Sequence, residues 1–499
     1  MMFQKSQGLT ASEQYLASLC NQSFLSLWSY PNLFRDQGRK GSHGDGKELC
    51  DLLVVFGDDI VIFSDKSCRF PDTGNTQLDW SRWFKRSIAE SAMQVYGAER
   101  WLRLYPGKIF LDAKCTTRLP LPLPSAERAQ FHRVIVALNA SDRCKQFFGG
   151  GNGSLVIRPD VTGRRPPDTP FTVGQVEPKK GYIHVLDDFT LDIILGELDT
   201  ASDFIEYFIK KEKAILSGKI TEVFGEEELL AYYLTHWNKR DEHEFSFVNA
   251  KKSISLYKGR WDGLSSNPRY IAKKEADAES YRWDSFIELI TSSSGNDANP
   301  TIHATEPGLR LMAGESRLAR RWLGDKIRQI WTQTPRNQPA LEIVLSPRRS
   351  DLGYVLLLIP IEAVGDPKNY LNSCLEMLIA CCVVAVLRFP QLEYVVGIRG
   401  DPRSVPASNN TSGFAYIESQ KLSEKLKQTA PDFARMLFDI SKIELISHFV
   451  PEYPDVLDGV VSISRDNRSG IVVKPIPITS NRKIRRAMRA RRQGRPTGR

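Results

Sequence analysis

The chain is predicted to be an α/β protein. Three observations point that way. Hydrophobic residues make up 41% and charged residues 25% of its 499 residues, which is ordinary globular usage. Short apolar runs rich in Val, Ile and Leu (LLVVF, IVIF, RVIVALN, ALEIVLS, GYVLLLIP, EYVVGIR) read as strands. Between them lie longer stretches whose apolar residues recur at helical intervals. The length favours two or three domains. The expected division is 1–150, a mixed sheet flanked by helices; 151–291, a largely helical middle; 302–480, a second α/β unit; and 481–499, a basic tail.

The first helix is announced by Thr10 and Glu13 at capping-box spacing, followed by Leu16, Leu19, Cys20, Phe24, Leu27 and Trp28 at helical intervals. Tyr30-Pro31-Asn32 is expected to stop it. A polar, Gly-rich loop leads to a hairpin, LLVVF and IVIF around Gly57-Asp58-Asp59. Both runs are continuously apolar, as in strands covered on two faces. A helix from Trp80 through Tyr96 or beyond follows, then strands at Lys108–Lys114 and Arg133–Asn139. FGGGNGS reads as a flexible turn or linker. In the middle region, Thr200 with Asp203 marks one helix start, and EEELLAYYLTHW is a second helix. SSSGNDANPT marks a boundary by composition. Beyond it, three strands alternate with helices around Leu318–Trp331 and Tyr370–Val386.

Composition narrows the function classes. No apolar run approaches the roughly 20 residues of a membrane span; the best candidate, Met377–Leu387, reads as a buried helix or strand. No secretory signal is visible at the N-terminus. The eight cysteines form no C-x-x-C pair, which fits buried free thiols in a reducing cytoplasm. Nucleotide-motor and α/β-hydrolase signatures, G-x-x-x-x-G-K-[ST] and G-x-S-x-G, are lacking. His236 and His243 are spaced too widely to share a metal on one helix. The net charge of +9 equals the nine Lys and Arg of the acid-free tail from Asn481. Such a tail suits nonspecific contact with nucleic acid, or simply solubilises the chain.

The candidate chemistry lies in KELCDLLVVFGDDIVIFSDK. Asp51 opens the first hairpin strand and Lys66 closes the second, so the two can meet at one end. By strand alternation Ile60, Ile62, Ser64 and Lys66 share one face, and Val61, Phe63 and Asp65 the other. A carboxylate suits Mg²⁺, which prefers oxygen ligands. A neighbouring lysine can orient an attacking water and steady phosphoryl charge. With the preceding helix, this pattern resembles the PD-(D/E)xK, or restriction-endonuclease-like, nuclease superfamily over roughly the first quarter of the chain. That segment and GEEELLAYYLTHW also look like parts of large uncharacterised bacterial proteins of this class.

The resemblance implies a restriction-endonuclease-like mixed sheet in the N-terminal domain and a metal-dependent nuclease acting on DNA in preference to RNA. Asp51 would bind Mg²⁺ or Mn²⁺, Lys66 would be the catalytic lysine, and Glu13 the accessory metal-binding acid. It further implies, by analogy alone, a role in bacterial defence. A membrane partner is not expected, and a homo-oligomer is left open. The pattern departs at Ser64, where the family's second acid belongs. Either Glu48 or Glu90 replaces that acid, or Ser64 contributes through its hydroxyl or a water, or the site is a relic that binds nucleic acid or acts as a scaffold. Asp112-Ala113-Lys114 is a rival D-x-K at a predicted strand end, but without an acid-opened partner strand. Plain structural readings stand beside these: a strand-end salt bridge for Asp51 and Lys66, a helix cap for Glu13, and a core stripe for Trp80, Trp83 and Phe84.

Overall fold

A computed structural model describes residues 5–36, 46–293, 302–363, 370–404, 413–447, 451–454, 456–457 and 460–461. Three mixed sheets are flanked by helices, so the α/β class is as expected. The basic tail, the Gly-rich loop before the hairpin and most of SSSGNDANPT lie outside the described residues.

Helix α1 (Ala11–Trp28) begins as its sequence requires, with the Thr10 hydroxyl accepting from the Glu13 N–H. It ends sooner than expected. Tyr30-Pro31-Asn32 belongs not to a stop but to a strand, β1 (Ser29–Asp36). Pro31 is tolerated because β1 meets its outer neighbour only at Phe34 and Arg35, so the missing N–H breaks no ladder. β2 (Gly46–Phe56) and β3 (Asp59–Lys66) form the hairpin, joined at Gly57-Asp58. Gly57 has φ 65°, a conformation that favours glycine. Gly57→Ala should lower the chemical-denaturation midpoint by the equivalent of about 1 kcal/mol; an unchanged midpoint would show that the turn adapts.

α2 (Thr76–Phe84) and α3 (Glu90–Leu104) make one long helix interrupted by a π-turn at Lys85–Ala89. Trp80, Trp83 and Phe84 are buried, as the core reading of that stripe requires. The predicted strand at Lys108–Lys114 shrinks to β4 (Ile109–Phe110); the rest is a turn folded around Asp112. β5 (Gln130–Ala137) lies parallel to β3, and α4 (Ser141–Phe147) follows.

The middle region is not simply helical. β6 (Val156–Thr162), β7 (Thr172–Gln175), β9 (Ile220–Val223) and β10 (Ile254–Leu256) build a four-stranded sheet in the order β10-β9-β6-β7, while β8 (Ile183–Leu186) completes the first sheet. These strands are only three to seven residues long, too short to show a period, which is why the sequence read as helical. The region's helices are α5 (Thr190–Glu197), α6 (Ala201–Leu216, capped by Thr200 as expected), α7 (Glu226–Leu234), α8 (Arg260–Ser265), α9 (Pro268–Ala276) and α10 (Tyr281–Ser293). Glu226, Glu227 and Glu228 of α7 are all buried. Glu226 pairs with Lys211 and accepts from the Tyr207 hydroxyl, while Glu228 accepts the N–H groups of Gly259, Arg260 and Trp261 at the start of α8.

The C-terminal α/β unit follows the expected pattern. After α11 (Ile302–Ala313) and α12 (Arg317–Gln333) come β11 (Ala340–Leu345) and β12 (Leu352–Leu358), α13 (Tyr370–Arg388), β13 (Tyr394–Gly400), β14 (Gly413–Glu418), α14 (Glu424–Arg435) and β15 (Leu445–Ile446). The sheet order is β14-β13-β12-β11-β15. α13 contains Met377–Leu387 and has the length and apolarity of a membrane span; here Cys374, Leu378, Cys381 and Val383 are buried in a core with Val355, Leu357 and Val395 of the sheet. Residues 1–453 form one compact unit. In the remainder, β16 (Val456–Leu457) pairs with β17 (Val460–Val461).

The first sheet runs β4-β1-β2-β3-β5-β8, antiparallel from β4 to β3 and parallel from β3 to β8. α1 covers one face, with Phe24 edge-on to Phe63 at 6.3 Å. α3 covers the other, where the Ser64 hydroxyl meets Gln94 Oε1 at 3.2 Å. This sheet carries the candidate site.

Candidate active site

β2 and β3 pair only from Leu52↔Phe63 to Phe56↔Asp59. Beyond that point they part. β2 stays with β1 down to Gly46↔Asp36, and β3 stays with β5 to Lys66↔Ala137. Asp51 sits where the ladder stops. Its Oδ2 accepts the Asp65 N–H at 2.5 Å, so a side chain takes the place of the next backbone acceptor. The fork opens into a cleft of about 500 Å³ between the diverging strands and α3.

The cleft gathers three acids (Glu48, Asp51, Glu90), three cations (Arg35, Lys47, Lys66) and the polar pair Ser64 and Gln94. Glu48 arrives by a device the alternation rule misses. It lies three residues before Asp51, which in a regular strand places it on the opposite face. A register shift between Leu33 and Phe34 leaves Leu49 unpaired: Leu33 faces Cys50 and Phe34 faces Glu48. This bulge brings Glu48 to the same cleft as Asp51. Glu90 is presented by the first turn of α3, directly after the π-turn, a distortion that often marks functional sites.

Burial pushes the Asp51 carboxyl up to about 6. The Lys66 ammonium and the Asp65 N–H pull against the rise, while Glu48 and Glu13 add to it. Asp65, on the α1 side, is also pushed up to about 6, chiefly by burial and by nearby Glu13, against the Ser12 hydroxyl and Lys66. Its place beside α1 agrees with the alternation that turned it away from Ser64 and Lys66.

Glu13 does not line the cleft. Its carboxylate accepts from the Leu9 N–H at 2.8 Å and from Asn32 Nδ2 at 2.9 Å, completing the helix cap. Burial pushes it up, but the hydrogen bonds from Asn32, Leu9 and Thr10 outweigh that and hold it below the usual range. The same Asn32 amide reaches Glu48 Oε1 at 3.4 Å, linking the cap to the cleft. Asn32 is fully buried with φ 47°, a left-handed conformation that Asn tolerates better than most residues. Sequence reading missed Asn32, Gln94 and Arg35. The enabling signal, Asn after Pro at a bulge, is visible only once β1 is known to be a strand. Arg35 lies over the Trp101 ring at 5.0 Å, and its buried Nε has no hydrogen-bond partner among the described residues.

The rival Asp112-Ala113-Lys114 has another use. The Asp112 carboxylate accepts the N–H groups of Lys114, Thr116 and Thr117, which tie the turn together. Burial raises it, but the hydrogen bonds from Thr117 and Thr116 together outweigh that and hold it below the usual carboxylate range. It closes a loop.

Comparison with family models, curated proteins and solved structures finds no match for this chain. Among the described residues no group of three or more His, Cys, Asp or Glu side chains converges as a ready-made metal cage. What the cleft offers a divalent cation is a carboxylate pair, Asp51 with Glu48 or Glu90. Mg²⁺ keeps several waters and is commonly held by one or two carboxylates, so a pair is a sufficient protein contribution. Asp51 is raised by burial and by like charges, a condition that a bound dication relieves. The cleft therefore holds oxygen donors of the type Mg²⁺ and Mn²⁺ prefer.

Proposed function

We propose that the chain is a metal-dependent nuclease of the restriction-endonuclease-like class, hydrolysing phosphodiester bonds of DNA in preference to RNA. The observation that supports this most is the fork between β2 and β3, with Asp51 at its base and Lys66 lining the same cleft. An acid-bearing strand beside a lysine-bearing strand, in a mixed sheet flanked by helices, matches that class's pattern except at Ser64, where its second acid belongs.

In this reading Asp51, with Glu48 or Glu90, holds the cation, which when bound supplies Lewis-acid stabilisation of the phosphoryl oxygens. The Lys66 ammonium orients the attacking water and offsets the charge that develops on the phosphoryl group. Arg35 and Lys47, on the same cleft, grip flanking phosphates. Glu13 acts through Asn32 to fix Glu48. The test is plasmid degradation with Mg²⁺ or Mn²⁺, comparing the wild type with Asp51→Ala and Lys66→Ala. Activity lost in both variants is expected; activity untouched by either would overturn the assignment.

One observation favours a second reading, an inactive nuclease-like protein that binds nucleic acid or acts as a scaffold. Ser64, where an acid belongs, is engaged with Gln94. The two readings part on two substitutions. If Glu90 supplies the second carboxylate, Glu90→Gln should cut cleavage by at least about 10²-fold, as for loss of one charge-stabilising group. If the site is a relic, the wild type leaves plasmid intact and Ser64→Asp gains metal-dependent cleavage. A wild type and a Ser64→Asp protein that are both inert would sink the nuclease assignment altogether.

A further inference from the structure

A second cleft, of about 540 Å³, adjoins the first and shares Glu90 and Met93 with it. Its other walls come from two places that are distant in sequence. Arg82 and Lys85 lie at the junction of α2 and the π-turn. Arg164 and Arg165 lie on the loop between β6 and β7. That loop is docked rather than free: Gln77 Nε2 of α2 donates to the Pro167 carbonyl at 3.3 Å, and Arg164 lies 3.4 Å from Glu177. Arg82, Lys85 and Arg165 are exposed, and their side chains form no ion pair among the described residues. Three unpaired cations and the Glu177-paired Arg164 thus line a cleft whose one acid, Glu90, also lines the candidate active site.

We propose that this second cleft is the track along which a nucleic-acid backbone leaves the active cleft, with Arg82, Lys85 and Arg165 on successive phosphates. The deduction rests on the nuclease reading for its direction, but not for its chemistry. Unpaired cations on a helix and on the loop docked beside it attract a polyanion whether or not the neighbouring site cleaves. Glu90, common to both clefts, would mark the point where the phosphate track meets the cation-holding carboxylates.

The experiment is a fluorescence-anisotropy titration of the full chain with labelled 20-nucleotide DNA, single-stranded and duplex, in EDTA so that nothing is cut, over a series of salt concentrations. The triple variant Arg82→Glu, Lys85→Glu, Arg165→Glu is compared with the wild type and with a charge-matched control on the C-terminal unit, Lys421→Glu, Lys425→Glu, Lys427→Glu. The groove variant should lose at least tenfold in affinity, and its salt slope should flatten by about 2.1 on a single strand and about 2.7 on a duplex, near 0.7 and 0.9 for each of three lost contacts. The control should stay within threefold of the wild type. Arg165→Ala alone, a milder surface change, should weaken binding about threefold and guards against misfolding of the triple variant. Groove variants that bind like the control, or a wild type that binds neither DNA, overturn the proposal. Loss of binding in the groove variants with no Asp51-dependent cleavage would keep the track and discard the nuclease; normal binding with intact Asp51-dependent cleavage would do the reverse.

Discussion

Asp51→Asn should abolish Mg²⁺-dependent cleavage while making the metal-free protein more stable. The two effects share one cause. The folded-state carboxyl is raised from 3.8 to about 6, chiefly by burial. A raised acid binds its proton more tightly folded than unfolded, so ionised Asp51 costs stability above about pH 6, and that cost fades as pH falls from about 6 towards 3.8. At pH 7.5 the cost is up to about 3 kcal/mol, taking roughly 1.4 kcal/mol for each unit. Asparagine removes the charge yet keeps an oxygen to accept the Asp65 N–H. In the metal-free state Asp51→Asn should therefore melt higher than the wild type at pH 7.5 and show little advantage at pH 4. Cleavage should drop by at least about 10²-fold, the effect typical of losing one preorganised charge-stabilising group. Wild-type cleavage should also decline below about pH 6, because a protonated carboxyl is a poor cation ligand. Mg²⁺ at a hundredfold excess over its dissociation constant should stabilise the wild type by about 2.7 kcal/mol and leave Asp51→Asn unmoved. Scanning calorimetry with and without Mg²⁺, beside the plasmid assay, checks all of this. A variant that is less stable and still cuts would refute the proposed role of Asp51.

Asp284→Ala should be among the most destabilising single changes in the chain. Asp284 on α10 accepts from Arg317 Nη1 and Arg320 Nη1, each at 2.7 Å. Both guanidiniums are nearly inaccessible, with side chains 7% and 1% exposed. Arg317 retains Asp199 as a second partner, whereas the other hydrogen bonds of Arg320 among the described residues go to the carbonyls of Ala313 and Glu315. Removing the carboxylate leaves the buried Arg320 without a hydrogen-bonded counter-ion, Glu315 acting only through space, a loss of about 3 kcal/mol, the low end for a broken buried pair. The melting midpoint should fall by several degrees. The proposed DNA track is lined by other elements, so any affinity measured below the new midpoint should be unchanged. A midpoint within a degree of wild type would mean that water reaches the gap and solvates Arg320.

Much of this architecture was legible in the chain. The hairpin, β5, the strands β11 to β13 and the helices α6, α12 and α13 declare themselves through local apolar pattern and caps, because each buries a run or a face long enough to show in its own sequence. β1 was hidden behind Tyr30-Pro31-Asn32: proline and asparagine signal a stop, and only pairing with β2 overrides that signal. The middle sheet was hidden because its strands are short. Their stability comes from neighbours, not from a period within each segment.

The same division holds at the candidate site. Asp51, Lys66 and the opposed faces of Ser64 and Asp65 follow from strand alternation, a local geometric rule. That Glu48 shares the cleft depends on a bulge opposite β1, that Glu90 shares it depends on a π-turn, and that there is a cleft at all depends on β2 and β3 each holding a different neighbour. Those are long-range hydrogen-bond arrangements, set by which strands meet, and no local pattern encodes them.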